Sequence, residues 1–492
     1  MKTNDYLLLG ATAAYSFLFY EQNAGINFLI FSAILLTFLL IRNKELIKDK
    51  KWMLTASCVL FSAICIVIHS SFLAAFANVI SLLVLSGLSF NRKTSSLFSF
   101  MFTGFSIASA FVFMVIDAAK RRDDHINDPN KKKNYKWLGG LIVIFLSFLF
   151  FLLYRTSNPV FAENTKWLNF DLAKLSWFLF TGFGFYFMYA FLYHRTIPFI
   201  ENWENNLNSQ LLSKPVEEKQ HSRLETEKFS LIALFSVLNI MLLILNIGDV
   251  NIIFLNGKLP EGIKLSDFVH ESIAALVFSI IFGIIIIMFF LRSDLNFYKG
   301  NRFYRSLVLF WIFQNVLMLF AAAWRNDLYI TEYTLTHLRI GVYVWLVLAF
   351  IGLVITTIKI LYNKSNWFLV KMNFSTWMLI LTLSSSVDWD LTMARYNLRN
   401  KKINEIDYDY LFSLSDTAIP ELMTFCKEKL ATETVPITKT NNKRGGYYYD
   451  AHFNYLNLMH YKIENYLANY TSDLRSWDLR AKRIMKTLKG EL

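Results

Sequence analysis

Asp267, His270 and Glu271 form a cluster of metal-binding or proton-transferring side chains within about one helical turn. Asp267 and Glu271 are four residues apart and would share one face of a helix, whereas His270 would point about 100° away from Glu271. A metal site or a general base at this position is one interpretation. Solvation of a helix start at a membrane interface is the simpler one, and the spacing favours it.

Motifs that identify common enzyme classes are absent from the chain. There is no GxSxG nucleophile motif, no Walker phosphate-binding loop and no HExxH zinc motif. Cys58, Cys65 and Cys426 lack the spacing of a zinc or redox site, so we interpret them as buried structural thiols. We therefore predict no catalytic residue, no metal and no cofactor. Whether the protein is an enzyme stays open, and the sequence favours a non-enzymatic role.

Two arginines near the ends of apolar segments could bind an anion. Arg339 begins one apolar segment and Arg395 follows another. If the polar C-terminal tail folds back, Arg395 would lie close to Arg339, and bidentate hydrogen bonds could hold a phosphate or an anionic headgroup. The full candidate set for anion binding or tail docking is Arg339, Arg395, Asp390, Tyr396 and Asn397. The alternative is an ion pair of Arg395 with Asp388 or Asp390 that attaches the tail to the membrane helices.

Polar side chains at membrane depth are few and uncharged. Asn239, Gln314 and Asn315 lie inside long apolar stretches. Hydrogen bonds between helices are the simpler explanation for such amides, and a polar cavity for a transported molecule is the alternative.

The composition favours a membrane protein. Of 492 residues, 55% are hydrophobic and 18% are charged, whereas a soluble chain has roughly 45–50% apolar and about 25% charged residues. A water-soluble enzyme is thereby excluded, and 47 Phe, 24 Tyr and 12 Trp exclude extensive disorder. The net charge of +13 is better explained by basic residues on the cytoplasmic side of a membrane than by nucleic-acid binding.

The chain carries twelve apolar segments of the length that crosses a bilayer. A spanning helix needs about 20 mainly apolar residues, and the runs lack the alternation of barrel strands. We therefore predict an all-α polytopic membrane protein. The segments are 6–21, 25–41, 52–70, 72–90, 95–116, 137–154, 174–193, 229–247, 271–291, 304–324, 340–361 and 367–386.

Segment 95–116 decides the topology. If it crosses, the basic loops at 91–94 and 117–136 fall on opposite sides, against the positive-inside rule. Small polar residues recur along it at helical spacing, namely Ser96, Ser99, Thr103 and Ser106. We predict an interfacial or re-entrant helix and eleven crossings. The alternative is a twelfth crossing whose polar stripe packs on a neighbouring helix.

With eleven crossings the N-terminus is cytoplasmic and the tail is extracytoplasmic. We divide the chain into N-terminal hairpins with a basic loop (1–136), a main transmembrane bundle (137–386) and a small helical extramembrane tail (387–492). The last helix of the tail is basic and amphipathic, with Trp477, Ala481, Ile484 and Leu488 on one face. That face would pack on the core of the tail or lie on anionic lipid.

Several short motifs resemble one bacterial multi-pass membrane family, of domain-of-unknown-function type 4153/4173. They run in order from about residue 137 to the C-terminus. The chain departs from the family pattern at Thr334, where Gly is common, and at Asp388-Trp389, where Asn-Pro is common. The matching stretches are Asn158-Pro-Val-Phe161, Leu259-Pro-Glu-Gly262, Tyr333-Thr-Leu-Thr336 with Leu338-Arg339 and Trp345, Ala394-Arg395-Tyr396-Asn397-Leu398, Asp409-Tyr410-Leu411, Leu414 to Pro420, and Ser476-Trp477.

The resemblance implies an inner-membrane protein with a C-terminal helical portion, and no activity. We predict a non-catalytic envelope component, such as a sensor, scaffold or partner subunit. Its partners would be the lipid bilayer and another envelope protein that binds the 387–492 tail. The alternatives are a transporter of an amphipathic or lipid-linked anion and a membrane-bound transferase.

Overall fold

The structure is a computed structural model that describes residues 3–125, 140, 143, 147, 150–151, 153–165, 172–212, 218–254, 265–400, 406–427 and 451–490. These residues form α-helices joined by short 3-10 helices and turns. Their only extended pairing is an isolated bridge between Gln210 and Lys364. The all-α class predicted from the sequence is confirmed.

The helices follow the apolar segments closely. They are α1 (Thr3–Phe19), α2 (Ile26–Arg42), α3 (Lys50–His69), α4 (Phe72–Phe90), α5 (Ser96–His125), α6 (Pro159–Asn164), α7 (Leu172–Leu192), α8 (Pro198–Asn205), α9 (Glu218–Phe254), α10 (Leu265–Phe290), α11 (Asn301–Glu332), α12 (His337–Leu361), α13 (Asn366–Ser384), α14 (Trp389–Asn400), α15 (Tyr408–Ser413), α16 (Ile419–Phe425), α17 (Ala451–Asn469) and α18 (Leu479–Lys489).

Eleven of the twelve predicted segments coincide with helices, and segment 137–154 lies largely outside the described residues. Six helical stretches in the described part are long and apolar enough to cross a membrane. The number of crossings stays a prediction. The six stretches are Lys50–His69, Phe72–Phe90, Ser96–Ala118, His221–Ile252, Asn301–Glu332 and His337–Leu361.

The chain divides into two compact units. The first contains Met1–Ile64, Asn78–Asn202 and Asp473–Trp477, and the second contains Cys65–Ala77, Trp203–Ser472 and Asp478–Leu492. In the first unit α1 packs along α7, where the ring of Tyr15 stacks on Phe180 at 4.7 Å. A Cβ on Gly184 would lie 2.2 Å from the Tyr15 ring, so this close helix contact requires glycine.

A short segment near the C-terminus completes the first unit by binding the turn between α1 and α2. The Ile26 amide donates to the Trp477 carbonyl at 2.9 Å, and Arg475 donates to the Phe17 carbonyl at 2.7 Å. A Cβ on Gly25 would lie 2.6 Å from the Trp477 carbonyl oxygen. Backbone therefore meets backbone here, and only glycine fits.

The polar stripe of α5 packs against neighbouring backbone. Ser99 is buried against Gly87 of α4, and the Thr103 hydroxyl donates to the Leu83 carbonyl at 2.8 Å. The Ser106 hydroxyl donates to the Arg195 carbonyl at 2.9 Å. The stripe thus packs on α4, as the twelve-crossing alternative expected, while Met101 and Val112 on its other faces are exposed. Whether α5 crosses the membrane stays a prediction.

The second unit has two cores. One lies between α9, α10, α11 and α12, where Phe235 meets Trp311 edge-on at 5.8 Å. The other forms the tail, and it includes Leu411 and Leu422 together with Ile484 and Leu488 of α18. The apolar face of the basic helix therefore packs on the core of the tail, as one of the two interpretations predicted.

All three cysteines are buried, as predicted, and none forms a disulfide within the described chain. Burial in the tail core raises the pKa of the Cys426 thiol to about 11.

Candidate functional site

Asn397 joins the tail to the turn between α11 and α12. Its side-chain oxygen accepts from the Leu335 backbone amide at 2.7 Å, and its side-chain NH₂ group donates to the Leu335 carbonyl at 2.9 Å. The side chain thus pairs with a backbone unit as a neighbouring strand would. Asn397 is buried, and both polar groups of its side chain are used by the turn. It therefore docks the tail rather than binding a ligand.

His337, the first residue of α12, is bound by two tail residues. Its Nε2 lies 2.7 Å from Asp390, and its Nδ1 lies 3.0 Å from the Tyr410 hydroxyl. The backbone amide of His337 also donates to Tyr410 at 2.9 Å. Burial raises the pKa of Tyr410. With both ring nitrogens engaged, His337 acts as a bridge between the tail and the crossing helix.

Arg339 lies on the aromatic rings of the preceding helix end. Its guanidinium carbon is 4.2 Å from the centre of the Tyr329 ring and 5.6 Å from that of Tyr333. One guanidinium nitrogen lies 3.4 Å from the Thr334 hydroxyl. Within the described chain, no carboxylate forms an ion pair with Arg339, so its charge stays available to a ligand.

Two cavities flank the first turns of α12. The one beside Arg339 has a volume of about 290 Å³, and the one beside Trp345 has about 240 Å³. His337, Gly341 and Trp345 line both. The first is lined further by Asn326, Tyr329, Leu338, Arg339 and Val342. The second is lined further by Leu73, Ile340, Val344, Leu348, Trp377, Ile380, Leu381, Ser384 and Trp389.

Arg395 does not join Arg339 in an anion site. Its Nε lies 2.6 Å from Glu421, which is also in the tail. The alternative pairing with Asp388 or Asp390 is likewise not found, because Asp388 accepts from the Leu391 amide at the start of α14 and Asp390 contacts His337. Of the other candidates on this helix, Tyr396 is half-buried and Asn397 and Asp390 dock the tail.

Two of the three predicted intramembrane amides bridge helices. The Gln314 side-chain amide donates to the Asn239 side chain at 2.7 Å, and Asn239 donates to the Leu307 carbonyl at 3.0 Å. Asn315 donates within its own helix to the Trp311 carbonyl at 2.8 Å. These contacts match interhelical hydrogen bonding for Asn239 and Gln314, which joins α9 to α11.

Sequence reasoning missed several groups at this site. His337, Tyr410 and Asn326 line the cavities or hold the tail, yet no local spacing relates His337 to Tyr410, 73 positions later. A buried ion pair of Arg325 with Asp249 at 2.9 Å joins α11 to α9 and was not predicted as a pair. The side chains of Asp267, His270 and Glu271 lie outside the described residues. No group of three metal-binding side chains occurs among those that are described.

Comparison with known proteins identifies a family for the chain. No curated protein and no solved structure matches the chain. One family model, described as "Domain of unknown function (DUF4153)", matches residues 7–424, which is most of the chain. By this match, and as the ordered motifs from Asn158 to Pro420 predicted, the chain belongs to the DUF4153 family.

Proposed function

We propose that this protein is a non-catalytic component of a bacterial inner membrane, with an extracytoplasmic tail that binds another envelope protein. The docking of the tail carries the proposal. Ile340 of α12 shares a hydrophobic core with Leu411 and Leu422 of the tail. Asn397 and His337 add hydrogen bonds at the same place. A tail held in this way presents a fixed surface beside the membrane.

Contacts of α5 support the proposed orientation. The helix is about 32 Å long between Ser96 and Asp117. Just before α5 begins, the Asn91 side chain donates to Glu201 at 2.6 Å. Near the end of α5, Asp117 pairs with Arg195 at 2.5 Å. A crossing helix would carry its ends to opposite faces, so these contacts favour a helix along the cytoplasmic interface.

Contacts of the intramembrane amides weigh against the transporter alternative, and those of His337 fit a docked tail. His337 contributes to the docking of the tail, because its two ring nitrogens face Asp390 and Tyr410 of the tail. A transporter using Asn239 and Gln314 would need these amides to face a substrate, and they bond to each other instead. A scaffold or sensor has no such requirement.

Photocrosslinking in intact cells tests the partner. A photoreactive residue at Tyr461 or Leu474, which are 64% and 81% exposed on the tail, should give a discrete adduct with a protein that has an extracytoplasmic domain. The same residue at Leu212, equally exposed on the opposite side in the eleven-crossing topology, is the control. Adducts with lipid alone, or the same adduct from Leu212, would contradict the proposal.

A further inference from the structure

We propose that the two cavities around the start of α12 form one binding site for an acidic phospholipid of the surrounding bilayer. The headgroup would lie at Arg339 and an acyl chain would lie along Trp345 and Leu348. This inference goes beyond the proposed function and holds whether or not the tail binds a protein.

The polar end of the site fits an anionic headgroup. Stacking on Tyr329 fixes the Arg339 guanidinium. Only one of its nitrogens contacts the Thr334 hydroxyl, so the remaining N–H groups could bind a phosphate in a bidentate manner. Asn326 lines the same cavity, is 1% exposed, and its side-chain oxygen has no hydrogen-bond partner. A headgroup hydroxyl or ammonium could donate to this oxygen. Without such a donor the buried oxygen is unfavourable, because it has lost its hydrogen bonds to water.

The apolar end fits an acyl chain. The second cavity is lined mainly by aliphatic side chains and by Trp345, Trp377 and Trp389. Trp345 is 57% exposed, so the cavity opens sideways. From Arg339 to Leu348 the helix rises about 14 Å. An acyl chain below a headgroup at Arg339 could therefore extend along the helix as far as Leu348.

Gly341 connects the two cavities. It lines both of them, and a Cβ at this position would meet no atom within 4 Å. A larger side chain would therefore fill the site without a clash in the empty protein. Because glycine is also the poorest helix former after proline, a Gly341→Leu replacement is expected to leave the fold intact.

The test is native mass spectrometry of the full chain, delipidated in detergent and titrated with phosphatidylglycerol. The wild type should bind one phosphatidylglycerol at lower concentration than phosphatidylcholine with the same acyl chains. Arg339→Gln and Gly341→Leu should each weaken this first binding step about tenfold, or about 1.4 kcal/mol. Arg339→Lys should retain part of it.

Matched controls separate binding from folding. Arg399→Gln removes an exposed arginine of the same tail-side region, and Gly182→Leu fills another open helical position outside both cavities. Both should bind phosphatidylglycerol as the wild type does, and Gly341→Leu should keep the wild-type melting temperature, which separates loss of binding from loss of folding. Unchanged binding by Gly341→Leu, equal binding of phosphatidylcholine, or equal stabilisation by inorganic phosphate alone would overturn the proposal.

Discussion

Asn397 shows how one side chain can replace a strand of backbone. Its amide meets both hydrogen-bonding groups of Leu335, at 2.7 and 2.9 Å. The turn between α11 and α12 has no helical partner for these groups, and an unpaired buried backbone group costs about 1–3 kcal/mol. The side chain must therefore supply one donor and one acceptor, which among the twenty residues suits Asn and Gln.

Asn397→Asp should destabilise the docked tail by about 2 kcal/mol. The carboxylate keeps an acceptor for the Leu335 amide but places a second oxygen against the Leu335 carbonyl. The measurement is the melting temperature of the purified protein in detergent. Asn400→Asp is the control: it is an exposed change on the same helix, loses only a hydrogen bond to the Tyr396 carbonyl within that helix, and should lower the melting temperature far less. Equal melting of both variants would contradict the assigned role.

Residue types could be predicted at the site more readily than their partners. The sequence predicts Arg395, Asp390 and Asn397 as candidates for anion binding or tail docking, and Asp390 and Asn397 do dock the tail. The partner of Arg395 was not predicted, because Glu421 lies 26 positions later on another short helix. Such pairs depend on how the tail folds, and neither periodicity nor spacing carries that information.

Helix positions were predictable because apolar length is a strong signal in a membrane protein. Segment 72–90 coincides with α4, and segment 340–361 falls within α12. The predicted and observed helix ends differ where polar residues continue the helix beyond the apolar segment. α9 begins at Glu218, eleven residues before the apolar run at 229–247, since Glu, Lys and Arg are good helix formers outside the bilayer.

The segment 473–477 is held by a charge pair that depends on pH. The hydrogen bond from Arg475 lowers the pKa of Asp473 to about 2. Because the folded pKa lies below the usual value near 4, the pair stabilises the segment above pH 4, and this stabilisation is lost as the pH falls towards 2. The same Arg475 binds the carbonyl end of α1, so protonation of Asp473 should loosen this contact.

Hydrogen exchange tests whether protonation of Asp473 loosens the segment 473–477. After correction for the intrinsic pH dependence of amide exchange, the exchange rates of amides 473–477 in the wild type should rise as the pH falls from 4 to 2. Asp473→Asn, which imitates the protonated acid, should already exchange faster at pH 7 and should change little with pH. Asp409→Asn, at an exposed acid of the same tail, should follow the wild type. A flat wild-type profile would refute the role of the pair.

The side of the membrane on which the tail lies depends on a single helix. Each crossing reverses the side of the chain. If the other eleven predicted segments all cross, an interfacial α5 gives eleven crossings and a spanning α5 gives twelve. Arg42 at the end of α2 donates to the carbonyl of Leu192 at the end of α7, at 3.1 Å. These ends share a side if α3, α4, segment 137–154 and α7 cross and α5 does not. Hydropathy alone includes Ser96–Ala118 among the possible spans, because it measures apolar length and not contacts.

Reporter fusions at residues 125 and 440 should therefore report opposite sides, with 125 cytoplasmic and 440 extracytoplasmic. A spanning α5 would move both positions, placing 125 outside and 440 inside, so the pair distinguishes the two topologies in one experiment. Fusions after Glu45 and Asn23 calibrate the cytoplasmic and extracytoplasmic signals, because neither position depends on α5. The reversed pattern would restore the twelfth crossing, place the docked tail in the cytoplasm and exclude an extracytoplasmic partner.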